Sequence, residues 1–139
     1  MPEDCIFCDA KNDSVIVRED DGIVIVDDPV RAGHVLVGAR SHGESLHDLS
    51  AEDAAGVLRL ANRAAKAIVT LTGATKVYVA AIGDKDKHFH VHLLPKMPDD
   101  PNLGPFVFGS NGWVAALPSD ASSDDVDRVG AELRAALAR

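Results

Sequence analysis

His88-Phe89-His90-Val91-His92-Leu93-Leu94 alternates imidazole and apolar side chains, then closes on two apolar residues. Side chains along a strand point to opposite faces in turn. A strand over 88–94 therefore puts His88, His90 and His92 on one face and Phe89, Val91 and Leu93 on the other. At about 3.3 Å per residue, successive imidazoles start roughly 7 Å apart. Half of the chain's 6 histidines thus stand on one ridge. That is costly in a core, because each buried ring needs partners for two nitrogens. Three readings are open: a polar strand edge facing solvent, a metal site built on H-x-H, or a nucleophilic imidazole. In the last, the two neighbouring rings bind phosphate oxygens or hold the nucleophile's tautomer.

The flanks give the architecture. Pro95 is expected to stop the histidine strand, and residues 95–111 read as a long Pro/Gly/Asp/Asn loop. Trp113 to Leu117 reads as a short edge strand. Ser122 and Ser123, followed by Asp124 and Asp125, cap a C-terminal helix within 119–139, with Val126, Val129, Leu133, Ala136 and Leu137 as its apolar stripe. Upstream, Gly83-Asp84-Lys85-Asp86-Lys87 is polar. Val77 to Ile82 is apolar throughout and predicts a central strand covered on both sides. Ser50 caps a long helix whose acidic first turn suits the dipole. Its apolar residues Val57, Leu58, Ala61, Ala64, Ala65, Ile68 and Val69 recur at helical spacing, and Gly73 ends it.

Ser14–Arg18 and Ile23–Val26 read as a hairpin around Glu19-Asp20-Asp21-Gly22. Asp27-Asp28-Pro29 breaks the second strand, and His34–Val37 forms a third. Residues 1–13 form a compact knuckle around Cys5-Ile6-Phe7-Cys8. The sum is one α+β domain over 1–139, a mainly antiparallel sheet of about five strands with helices against it.

Composition limits the function classes. Apolar residues make up 46% and charged residues 26%, a globular profile, and the net charge of -8 disfavours a nucleic-acid polymer or an anionic membrane as partner. A local nest of donors can still bind a small anion. No apolar run approaches the roughly 20 residues that span a bilayer. Met1-Pro2-Glu3-Asp4 lacks the features of a signal peptide, so the expected location is cytoplasmic. The 2 cysteines, Cys5 and Cys8, then read as a metal or redox pair before a structural disulfide. A redox site of thioredoxin type is disfavoured, since the pair opens no helix. His42-x4-His47 has ligand spacing, but lies too far from Cys8 for a finger, which needs about 12–15 residues.

The motif H-φ-H-φ-H-φ-φ, with φ apolar, resembles the signature of the histidine-triad (HIT) family, and residues 88–94 match it completely. Gly33-His34-Val35-Leu36-Val37 is similar to the family's Gly-His-hydrophobic strand, and Arg40-Ser41-His42 to the Lys/Arg-x-His that follows. The Cys5-to-Cys8 start looks like the zinc-binding branch, and the likeness covers roughly residues 4–96.

The resemblance implies a HIT-like fold, a homodimer, and a nucleotide hydrolase or transferase acting at an α-phosphate. Its substrate would be a nucleoside phosphoramidate or a dinucleoside polyphosphate, with a purine mononucleotide such as AMP as ligand. His90 lands on the family's nucleophile and forms the nucleotidyl-histidine. An imidazole with an ordinary pKa of about 6.5 is largely neutral at pH 7, and a carbonyl on its far nitrogen would leave the attacking lone pair free. His92 and His34 become phosphate and leaving-group contacts. Zinc, as a structural ion, falls to Cys5, Cys8, His42 and His88, with His47 a surface residue. Asp27, or Asp28 beside it, matches the ribose-binding acid, though Asp27 also reads as a turn former. Phe7 is offered to the base, or else to the knuckle core.

One stretch departs from the pattern. Many members carry an asparagine and a Gly-Gln-(Ser/Thr) before the triad, and residues 83–87 have no Gln, Ser or Thr. Extended, that stretch would turn Asp84 and Asp86 toward the histidines; as a turn, it could present a lysine. A nucleotide-binding scaffold with little turnover is the alternative function. A third reading makes His88, His90 and His92 all metal ligands.

Overall fold

The computed structural model describes residues 5–9, 14–108 and 122–138. Five strands form an antiparallel sheet: β1 (Val15–Glu19), β2 (Gly22–Ile25), β3 (Val35–Gly38), β4 (Lys76–Ala80) and β5 (His90–Lys96), in the order β1-β2-β3-β5-β4. Helices α1 (Ala51–Thr72) and α2 (Ser123–Leu137) complete this α+β fold. Among the described residues no helix is long and apolar enough to cross a membrane.

Alternation along the strands divides the sheet into two faces. Val24, Val35, Val37, Val91 and Leu93 turn toward the helices and form the main core with Val57, Leu60, Ala64 and Ile68 of α1 and Leu133 and Leu137 of α2. Ile23, Ile25 and Leu36 turn the other way and pack on Cys5 and Phe7 of the N-terminal turn. His90 stands opposite Gly38 and His92 opposite Leu36. Both imidazoles therefore share the knuckle face, away from the helices.

Helix α1 starts where its cap predicts: the Ser50 hydroxyl accepts from the Asp53 amide at 3.1 Å. It ends at Gly73, whose φ of 78° is left-handed and favours glycine. Its buried face is Gly56, Val57, Leu60, Ala61, Ala64 and Ile68. Leu58 and Val69, expected inside, are 62% and 40% exposed, and Leu60 takes the core position instead. Gly56 faces the β1–β2 turn, where an added Cβ would lie 2.7 Å from the Asp21 carbonyl oxygen. Close approach of helix to hairpin accounts for a residue that otherwise weakens a helix interior. Helix α2 begins after Ser122, whose hydroxyl accepts from the Asp125 amide, and buries Val129, Leu133 and Leu137.

Two strand expectations need correction. The histidine strand begins at His90, not His88, and runs through Pro95 to Lys96. Successive backbone groups point to opposite strand edges. The Lys96 carbonyl faces β4, accepting from Thr75 N–H, so Pro95 faces the other edge, beyond the end of β3. There its missing N–H costs nothing, and its carbonyl accepts from Arg31 at 3.1 Å. The apolar run at 77–82 is not a covered central strand. It supplies β4, the edge strand, with Val79 56% and Ile82 48% exposed. The strand expected at Trp113–Leu117 lies outside the described residues.

Candidate active site and metal centre

The N-terminal turn carries its cysteines to the start of the histidine segment. Cys5 Sγ lies 3.3 Å from His88 Nδ1, Cys8 Sγ 3.5 Å from the same atom and 3.6 Å from His42 Nδ1, and the two Nδ1 atoms are 3.1 Å apart. All four ligand atoms lie within 4.8 Å of one another. A tetrahedral ion with S at ~2.3 Å and N at ~2.0 Å has edges of roughly 3.3–3.8 Å, which these distances approximate. The tautomer fits as well. His88 Nε2–H donates to the Ala39 carbonyl at 2.8 Å, leaving Nδ1 as the bare ligand nitrogen. Burial chiefly holds the His88 ring below the usual imidazole range. Burial and the neighbouring Cys5 push the Cys8 thiol up to about 11, so ligation must displace a proton and strengthens as pH rises. Two thiolates and two imidazoles with no open position suit a structural zinc.

His47 is outside this group, its side chain 84% exposed. So are His90 and His92, which removes the reading in which the whole triad ligates one ion.

His90 is two residues on from the ligand His88, and the backbone between them fixes its tautomer. Its Nδ1–H donates to the His88 carbonyl at 2.7 Å. The neutral ring then carries its lone pair on Nε2. Phe7 packs on both rings, with centroids 4.9 Å from His88 and 5.2 Å from His90. The ring of Phe7 occupies the space where a Gly38 side chain would begin. Phe7 is fully buried, which favours the knuckle-core role over a contact with a nucleotide base. In that role the ring supports the histidines from behind.

His92 follows, its ring centroid 5.1 Å from that of His90 and 5.6 Å from that of His34. Burial lowers the His34 pKa to about 4, and burial with the neighbouring His90 and His34 lowers that of His92 to about 3. Both rings are neutral at pH 7.

Two clefts meet at the histidines. One, of about 210 Å³, is lined by His34, His92, Asp27, Asp28, Asp84 and Asp86, together with Lys85 and Leu36. The other, of about 340 Å³, is lined by His90, Phe89, Ile82, Leu46 and His47. Residues 84–86 form a bend, not an extended run, and bring both aspartates and Lys85 to the first cleft. Asp27 lies in that cleft with its carboxyl pKa raised, first by burial and then by Asp28 and Asp86.

Residues 9–99 match the family profile of the HIT domain. The chain belongs to the HIT family. An uncharacterised HIT-like protein of Borreliella burgdorferi is 30% identical over 109 residues, covering 70% of this chain and 78% of its own. A zinc-bound histidine triad family protein from Mycobacterium smegmatis shares 26% identity and a TM-score of 0.71 over 97% of this chain and 94% of that one. The diadenosine triphosphate hydrolase of Plasmodium falciparum, solved with cyclomarin A, has a TM-score of 0.67 over 92% and 78% of the two chains. At 15% identity that likeness is one of fold alone.

Within this HIT site, sequence reasoning expected a carbonyl behind the His90 ring without saying which one, and missed the backbone groups behind His88 and His34. The carbonyls of Ala39 and His88 and the amide of Val30, which donates to His34 Nδ1 at 3.0 Å, fix three tautomers. Residue type carries no signal for them. Leu46 and Phe89, at the second cleft, were also missed, since an apolar residue in a loop or on the apolar face of a strand reads as packing.

Proposed function

We propose that this protein cleaves a nucleoside phosphoramidate at its α-phosphorus through a nucleotidyl-histidine on His90. The observation that carries the reading is the 2.7 Å bond from His90 Nδ1–H to the His88 carbonyl, which leaves Nε2 as the nucleophilic atom of a ring lining a cleft. In the first step Nε2 attacks phosphorus as the P–N bond breaks, and the leaving nitrogen takes up a proton from solvent to depart as an amine. Water then attacks phosphorus, the P–Nε2 bond breaks, and a nucleoside monophosphate such as AMP departs with His90 restored. His92 faces the transferring group as a neutral N–H donor. Asp27 accepts from the ribose hydroxyls.

The acidic lining of the His34/His92 cleft supports the phosphoramidate over a dinucleoside polyphosphate. Asp27, Asp28, Asp84 and Asp86 face one Lys85 there, and a chain of phosphates would meet like charge. Zinc on Cys5, Cys8, His42 and His88 is structural: when bound it fastens the turn that carries Cys5 and Cys8 to the residues beside the nucleophile. We read 1–139 as one HIT-like unit and expect a homodimer, for which the exposed Val79 on the β4 edge and Ile82 just beyond it offer an apolar surface.

The test is a substrate panel with intact-protein mass spectrometry. Adenosine phosphoramidate should turn over faster than diadenosine polyphosphates and give a transient nucleotidyl adduct. His90→Ala should lose the adduct and at least about 10³-fold in kcat/KM while keeping one zinc per chain. AMP binding without turnover, equal in wild type and His90→Ala, would instead make this a nucleotide-binding scaffold. The replacement of neutral donors by carboxylates at 83–87 is the feature that favours this second reading.

A further inference from the structure

We infer that Lys85 is the cation that grips the transferring phosphoryl group and limits the substrate to a single phosphate there. This role presupposes the reading above, in which a nucleotide lies across the His34/His92 cleft and His90. Gly83 has a φ of 74°, a left-handed conformation that favours glycine. The chain turns there, and 84–86 bend, so the face alternation of a strand no longer applies. Asp84, Lys85 and Asp86 consequently all line the cleft, together with Asp27 and His92. Lys87, two residues on, is exposed and is not part of that lining. Residues 83–87 contain no Gln, Ser or Thr. Lys85 is therefore the side-chain donor that this stretch brings to the site.

Charge singles out the same residue. His34 and His92 are neutral at pH 7, their pKa values held at about 4 and about 3 chiefly by burial. Asp27, Asp28, Asp84 and Asp86 line the cleft, and Lys85 is the only Lys or Arg among its described lining residues. The Asp27 carboxyl is pushed up by burial, then by Asp28 and Asp86, while Lys85 and His90 act the other way. The ammonium thus stands within electrostatic reach of the acid proposed for the ribose, and the α-phosphate is carried on that same sugar. A lysine is a compact point charge on a flexible stem, able to follow an anion without a fixed geometry. One ammonium with the neutral N–H donors can offset one phosphoryl group. Each further phosphate of a polyphosphate would bring charge that only carboxylates meet. Charge spread over the phosphoryl oxygens in the transition state falls to this ammonium, which makes Lys85 a catalytic residue.

The first arm of the experiment is calorimetric binding of AMP and of adenosine to the zinc-loaded protein, which needs no turnover. Lys85→Gln should weaken AMP at least about tenfold, the loss of one charge-assisted contact, and leave adenosine unchanged. Lys85→Arg, which keeps the charge, should bind AMP within about threefold of wild type. Lys87→Gln should bind it like wild type. In the kinetic arm, Lys85→Gln should lose about 10²-fold in kcat on adenosine phosphoramidate, the scale of one lost transition-state donor, and Lys85→Arg should recover most of it. Asp84→Asn with Asp86→Asn should raise the rate on diadenosine polyphosphates relative to the phosphoramidate. Equal AMP losses in Lys85→Gln and Lys87→Gln would reduce the effect to the general field of the chain and overturn the inference. An unchanged AMP affinity in Lys85→Gln, or parallel losses of AMP and adenosine, would overturn it too. Lys85-dependent AMP binding in a protein that turns over no phosphoramidate would sink the proposed reaction and leave the phosphate grip intact. Wild-type kcat in Lys85→Gln would do the reverse, and a wild type that binds no AMP would end both.

Discussion

At the scale of single residues, the site is held by contacts behind it. Phe7 is sandwiched between the Gly38 backbone and the His88 and His90 rings. Phe7→Ala should cost about 3–5 kcal/mol through the cavity it leaves. Gly38→Ala should cost about 1–3 kcal/mol, since its Cβ would overlap that ring. Urea unfolding at constant zinc measures both. A Gly38→Ala protein as stable as wild type would mean that Phe7 sits elsewhere. The buried histidines make a second expectation. Their folded pKa values, about 4 for His34 and about 3 for His92, lie below the ordinary imidazole value. Above pH ~6.5 neither state binds the proton and stability is complete. Between there and pH ~4 the unfolded chain binds protons that the fold refuses, so stability falls on acidification by up to about 1.4 kcal/mol per pH unit for each ring. The difference between wild type and His34→Gln in thermal unfolding from pH 7 to 5 isolates the His34 share. A pH-independent difference would contradict the low His34 pKa.

At the scale of elements, what was legible depended on whether the signal was local. Helix α1 announces itself with a cap, a stripe and a terminal glycine, and Ser50 and Gly73 stand where those signals put them. Ser50→Ala should lower stability by about 1 kcal/mol, read by thermal unfolding. An effect under ~0.3 kcal/mol would mean the cap bond is not made in solution. The histidine strand was legible in its alternation but not in its ends. Whether Pro95 stops a strand depends on which edge its missing N–H faces, and that depends on how far β3 reaches, a fact about another segment. The apolar run at 77–82 misled for a related reason: a strand whose edge awaits another surface reads like one buried in the sheet. In the site, the ligand quartet came from the family resemblance, and the His42-x4-His47 spacing pointed to a wrong partner. A carbonyl behind His90 was foreseeable, but not which one, and the groups behind His88 and His34 were invisible because a carbonyl or amide has no letter of its own.

At the scale of the whole molecule, the sheet separates two kinds of cohesion. The helix-bearing face holds the large apolar core, while the opposite face depends on Phe7, a few aliphatics and the Cys5/Cys8/His42/His88 quartet. Removing zinc with a chelator should therefore lower the unfolding midpoint but leave the helical signal largely intact. Free zinc a thousandfold above Kd should restore about 4 kcal/mol. Cys8→Ser should respond to neither treatment. A chelator that leaves the wild-type midpoint unmoved would show that the quartet holds no ion.

The contact between Cys5 and His88 spans 83 positions of chain. During synthesis the two thiols leave the ribosome long before the imidazole that completes their quartet, and that partner arrives only with β5, which pairs with β3. Until then both sulfurs are open to oxidants and to stray soft metals. The quartet is therefore complete only once residue 88 has been made and β3 has met β5, so a chain truncated before it should hold no zinc through these four residues.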